Sequence, residues 1–196
     1  MTTHESHKLP ELIVLTGLDG SGKGHLAAHL RDNEGFLALG ASDIIRHAIA
    51  SQPDLEGLPL DEATRRLKGV LGPTFITDTA MERYRKSKAA YTGLAIDGLR
   101  RYPEIEQVKT LDGAVVYVNA DDLGRFKQLV ARGRHDAPKT IEEMLARDAE
   151  QLYGDPNDKN SLKMDVIRGM ADIVVTNTFD DSFTEEAVAA LRRHVR

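Results

Sequence analysis

Cysteine is absent from this 196-residue chain. Disulfides, thiolate zinc sites and thiol catalysis are therefore excluded. No apolar run approaches the ~20 residues that a bilayer-spanning helix needs. The excess of positive charge typical of general nucleic-acid binders is also missing, since the formal net charge is −5. Bulk affinity for DNA or RNA is not expected, nor is a membrane partner. Met1 to Pro10 is polar and lacks the apolar stretch of a secretion signal, so it reads as a flexible tail on a cytoplasmic protein. His4 and His7 form a weak metal-binding pattern there, beside the simpler reading of a frayed, solvated end.

What is present is a globular composition, 41% apolar, in a length that suits one domain over residues 11–196. Short apolar runs alternate with helical stretches. Strands are expected at Glu11–Thr16, Phe36–Gly40, Thr92–Asp97, Gly113–Asn119 and Asp172–Thr176. Helices are expected after Gly24, from an N-cap at Ser42, over Asp61–Val70 and Thr74–Lys88 on either side of Gly72-Pro73, and over Asp121–Ala131. Further helices are expected from Thr140, just before Asp172, and from Thr184 onward. Thr140 and Glu143 have capping-box spacing, and Asp155–Ser161 reads as a loop. Five such strands, mostly separated by helices, predict an α/β fold. It is a three-layer α/β/α sandwich around a five-stranded parallel sheet, with ligands beyond the C-terminal ends of the strands.

The strongest motif lies between the first strand and the first helix. Gly17-Leu18-Asp19-Gly20-Ser21-Gly22-Lys23-Gly24 has the G-x-x-x-x-G-K frame of a phosphate-binding P-loop. Its glycines let successive amides face inward at phosphate oxygens. The following helix aims its positive end at the same point, and Lys23 can offset charge on the β- and γ-phosphates. Gly17, Asp19, Gly20, Ser21, Gly22, Lys23 and Gly24 are accordingly the expected ATP-binding residues. The position that usually supplies a magnesium-binding hydroxyl is Gly24. Another acidic group must then help to hold Mg²⁺, and Asp97, at the end of the third strand, is the candidate, acting through a bound water. His25 either reaches the α-phosphate or lies on the helix surface.

The G-K-G loop resembles that of nucleoside monophosphate kinases. Asp97-Gly98-Leu99-Arg100 is similar to the D-G-x-P-R motif of adenylate kinases, with the proline missing and one residue fewer. Asp43 and Arg46 follow the second strand, where adenylate kinases and dephospho-CoA kinases place acceptor-site residues. The chain resembles an adenylate-kinase-like and dephospho-CoA-kinase-like group of P-loop proteins. The group's pattern continues with R-x-R-x-D-x-P-x-T, here Arg132 to Thr140, and R-D, here Arg147-Asp148.

The resemblance implies a kinase that takes ATP and Mg²⁺ and moves a phosphoryl group to a nucleotide-like acceptor, as a monomer or homodimer. Residues 47–90 would cover the acceptor and 132–140 would form a short lid. It implies catalysis by Lys23, Arg132, Arg134 and Asp97, with acceptor contacts from Asp43, Arg46 and Arg100. Arg125, seven residues before Arg132 and on the same helix face, would join the lid, with Asp136 orienting a lid arginine; Arg147 either contributes or pairs with Glu143. Asn177 would border the adenine, mainly through backbone. Tyr84 and Phe75 either stack on a base or belong to the core. A nucleotide-binding switch without a small acceptor, and a binding module that has lost its chemistry, are the competing readings.

Overall fold

The computed structural model describes residues 8–154 and 162–195. The strands are β1 (Leu12–Thr16), β2 (Phe36–Gly40), β3 (Gly93–Asp97), β4 (Ala114–Ala120) and β5 (Ile173–Asn177). All pairings are parallel, in the order β2-β3-β1-β4-β5. The helices are α1 (Lys23–Glu34), α2 (Ala41–Ala50), α3 (Leu60–Leu71), α4 (Phe75–Ser87), α5 (Tyr102–Thr110), α6 (Asp122–Ala131), α7 (Ile141–Tyr153), α8 (Met164–Met170) and α9 (Phe183–His194). None of the described helices is long and apolar enough to cross a membrane.

β1 is central because every one of its side chains is buried. Its alternation distributes them to two cores. Leu12 and Val14 join Leu94 and Ile96 under α2, α3, α4, α5 and α8. Ile13 and Leu15 join Val116 and Val118 under α1 and α9. Fully burying each such aliphatic side chain is worth about 1.5–3 kcal/mol. The sheet is thus covered on both faces, as the near-continuous apolar strand runs require.

Several sequence expectations need correction. Ser42 does not cap α2: the helix starts at Ala41, and the N-cap is the extended Gly40, without a side-chain cap. α5 was not foreseen. Its sequence YPEIEQVKT is mostly polar, and only Ile105 and Val108, three apart, turn to the core. The Thr140 cap is present: its hydroxyl accepts from the Glu143 amide at 3.2 Å. The Glu143 carboxylate reaches back to the Lys139 amide at 2.8 Å, one residue earlier than in a standard capping box. Of the expected tail, Pro10 is buried and Leu9 packs against the core. His4 and His7, and the expected loop at Asp155–Ser161, lie outside the described residues.

Candidate active site

β1 and β3 are neighbours, with Leu15 opposite Asp97. The P-loop and the Asp97 corner therefore leave the sheet side by side. The loop folds tightly, with left-handed backbone at Gly17, Gly20 and Gly22. A Cβ on Gly17 would come within 2.3 Å of the Val118 carbonyl, and one on Gly22 within 2.1 Å of Asn177 Nδ2. Only glycine permits both the conformation and the approach.

Lys23 is buried, and its ammonium donates to the carbonyls of Gly17 (2.9 Å) and Leu18 (2.8 Å). Burial, then the neighbouring Arg100, pushes its pKa down to about 8, against the pull of Asp97 and Asp19. Asp97 shows the opposite effect. Burial raises its pKa, although Lys23, Arg100 and Arg132 oppose the shift. Its Oδ1 is buried without a hydrogen-bond partner, and a Cβ on Gly24 would lie 3.6 Å from its Oδ2. The carboxylate therefore stands beside the position of the missing hydroxyl. An unpartnered buried carboxylate oxygen next to a phosphate cradle suits a hydrated divalent cation. Ser21 Oγ is likewise buried and unpartnered in the loop.

Asp19 does not stand open to a ligand. Its carboxylate is ion-paired with Arg100 and lies 3.4 Å from the Gln151 amide. Burial would raise its pKa, but the Arg100 guanidinium, with Lys23 and Gln151, holds the carboxyl well below the usual range. Arg100, expected on the acceptor, thus braces the P-loop while also lining the cleft, and it donates to Gln151 Oε1 at 2.9 Å.

Arg125 is not a lid residue. It is only 2% exposed and donates to the Asp19 carbonyl (3.0 Å), to Asp122 (2.9 Å) and to buried Asp148. Asn177 also supports the loop. Its Nδ2 donates to the Ser21 carbonyl at 3.0 Å, and its Oδ1 accepts from the Phe179 amide at 2.8 Å. His25 is exposed on the first turn of α1 and does not line the cleft.

Beyond the P-loop a cleft of about 470 Å³ opens along the C-terminal ends of β1, β2 and β3. Lys23, Asp97, Arg132 and Arg134 line one end. Asp43 and Arg46, paired at 3.0 Å on the first turns of α2, line its side, and Asp136 joins its rim. At the far end lie Lys68 and Glu104, which sequence reading missed. The Glu104 carboxylate is buried and accepts from Lys68 (3.0 Å) and the Thr77 amide (3.1 Å). Glu104 sits on the unforeseen α5, so no pattern pointed to it. Arg147 does pair with Glu143, and it also donates to the Asp136 carbonyl at 2.7 Å, bracing the lid segment. Phe75 and Tyr84 are core residues, and the Tyr84 hydroxyl donates to Glu11 at 3.1 Å.

A family model described as an AAA domain matches residues 16–145. A UPF0200 protein of Sulfurisphaera tokodaii is 31% identical over 145 residues, which is 74% of this chain and 78% of that protein. A UPF0200 protein of Saccharolobus islandicus is 30% identical over 181 residues, 90% of this chain and 87% of that one. Among solved structures, TT1252 from Thermus thermophilus has a TM-score of 0.63 at 22% identity and covers 96% of this chain and 100% of its own. Shikimate kinase from Acinetobacter baumannii, in complex with shikimate, has a TM-score of 0.56 at 15% identity, covering 95% and 93%. These two likenesses concern the fold, which is that of the P-loop kinases.

Proposed function

Because the chain belongs to the UPF0200 family and carries a P-loop kinase fold, we propose that it is an ATP-dependent phosphotransferase acting on a small nucleotide-like acceptor. One observation carries this reading. The cleft does not end at the phosphate loop but continues past Lys23 and Asp97 to Asp43–Arg46 and Lys68–Glu104. A nucleotide switch needs a site for one ligand; this cleft has further polar walls, with the Asp43–Arg46 and Lys68–Glu104 pairs, besides the phosphate loop.

In this reading the P-loop amides and Lys23 hold the ATP phosphates. Arg46 grips an anionic group of the acceptor, and Asp43 sets the angle of that guanidinium through their ion pair. An acceptor oxygen attacks the γ-phosphorus as the bond to the β-phosphate oxygen breaks, releasing ADP. A phosphate acceptor needs no base, whereas a hydroxyl acceptor would pass its proton to Asp43. Arg132 and Arg134 neutralise charge on the transferring group as the lid closes. Asp97 would hold magnesium through water, and the ion would withdraw charge from the β- and γ-phosphates. Asn177, Arg125 and Asp19 keep the cradle in shape and touch no substrate.

The test is ADP release with ATP and Mg²⁺ against nucleoside monophosphates, their deoxy forms and dephospho-CoA. Strong stimulation by one acceptor is expected. Lys23→Ala should abolish it, and Arg46→Ala should raise the acceptor KM. Slow release indifferent to every acceptor would reject the proposal.

A further inference from the structure

β5 is an edge strand with a single neighbour, β4. Alternate amides and carbonyls along it therefore face outward without a strand to receive them. Its sequence, IVVTN, carries no lysine, proline or other guard against pairing. Val174 is 50% exposed, and Thr176 is exposed on the same face of the sheet. At the opposite edge β2 has no exposed residue. Beside the open edge a groove of about 340 Å³ runs between Val174–Thr176 and α9. Glu186, Ala189, Ala190 and Arg193 form its helical wall, in the spacing of one helix face. That row is acidic at its start, small in the middle and basic at its end. Glu186 and Arg193 stand two turns apart, roughly 10 Å along the axis. Neither has an ion pair among the described residues; the Glu186 carboxylate accepts only from the Ser182 hydroxyl, at 3.0 Å.

A row of charges that reverses sign from end to end matches a second copy of itself turned around. Symmetric pairing needs such a self-complementary patch. An unrelated strand would have to bring the reversed charges independently. We propose that two copies of this chain pair edge to edge through β5, antiparallel, about a two-fold axis near Val175 and Ala189–Ala190. The outward backbone groups of each β5 then bond to the other, and one sheet runs through both copies. Each α9 lies antiparallel to its copy, so that Glu186 meets the partner's Arg193 and the alanines between let the helices approach. Val174 is covered by the partner's Thr176. The pairing leaves the cleft open, because Val174, Glu186 and Arg193 do not line it. It also steadies the phosphate loop indirectly, since β5 ends at Asn177, whose side chain holds the Ser21 carbonyl.

Sedimentation equilibrium of the full chain, from micromolar to submillimolar concentration, tests the pairing. A monomer–dimer equilibrium is expected. Glu186→Arg and Arg193→Glu each set like charges against one another at both contacts. Each should raise the dimer dissociation constant at least about tenfold. Both side chains are exposed, and circular dichroism of each variant checks that the fold is kept. Mixing the two single variants should restore the dimer as a heterodimer, because each supplies the charges that the other lacks. A chain that stays monomeric throughout the range would overturn the proposal. So would a dimer indifferent to both reversals, which would place the contact elsewhere. So, too, would a loss of dimer that mixing fails to repair.

Discussion

The guanidinium of Arg125 donates a 3.0 Å hydrogen bond to the backbone carbonyl of Asp19, joining α6 to the phosphate loop from a site that is 2% exposed. The same guanidinium neutralises buried Asp148 on α7. Truncation would leave that carboxylate without a partner in the interior. Arg125→Ala should therefore lower the unfolding free energy by about 3–5 kcal/mol, measured in urea. A double variant, Arg125→Met with Asp148→Leu, should recover much of the loss, because the uncompensated charge is then gone.

Asp97 stands beside Gly24, and its Oδ1 has no partner. Asp97→Asn should reduce turnover on the order of 100-fold while nucleotide still binds without magnesium. Adding a hydroxyl at the neighbouring position should compensate in part. A Cβ on Gly24 would make an ordinary 3.6 Å contact, so Gly24→Ser should fold normally. Turnover against magnesium concentration, for Asp97→Asn with and without Gly24→Ser, reads the result.

Lys23 titrates at about 8 in the free protein, below its usual 10.5, because it is buried. Polyphosphate favours the charged form, so the complex holds more protons than the free protein above that pH. Affinity for ATP should be flat below about pH 8 and then fall about tenfold per unit. Proton uptake on binding, measured in buffers of different ionisation enthalpy, should rise in the same range. For stability the sign is opposite. Between about 8 and 10.5 the unfolded chain binds the extra proton, so Lys23 makes the fold more stable as pH rises through that window.

Asn177 holds the Ser21 carbonyl and the Phe179 amide, both by its side chain. Asn177→Ala should cost about 1–3 kcal/mol of stability. It should weaken ADP binding while the acceptor KM stays unchanged, which separates loop support from acceptor contact.

The parallel sheet and the phosphate loop were legible because their signals are local. β1 is an unbroken apolar run, and the loop's glycines fall in a fixed frame. Asp97 was legible because it ends such a run. The second support layer was not. Arg125 has helix spacing to Arg132, which suggested a shared lid face, and only the tertiary approach of α6 to the P-loop turns it inward. Asn177 lies at a strand end that reads equally well as a turn. Glu104 meets Lys68 of α3 across 36 positions, from a helix, α5, whose mostly polar sequence hid its apolar core contacts. Ser42 looked like a cap by residue type, yet backbone geometry put the N-cap two residues earlier, at Gly40.

The central place of β1 also governs when the phosphate cradle can exist. Leu12 pairs with Leu94, Ile13 pairs with Ala114, and the Asn177 brace joins Ser21 across 156 positions. Contacts so distant in sequence close slowly. During synthesis the segment that grips nucleotide is made among the first and becomes usable among the last. A nascent chain stopped before β5 would carry the whole glycine-rich motif without its brace.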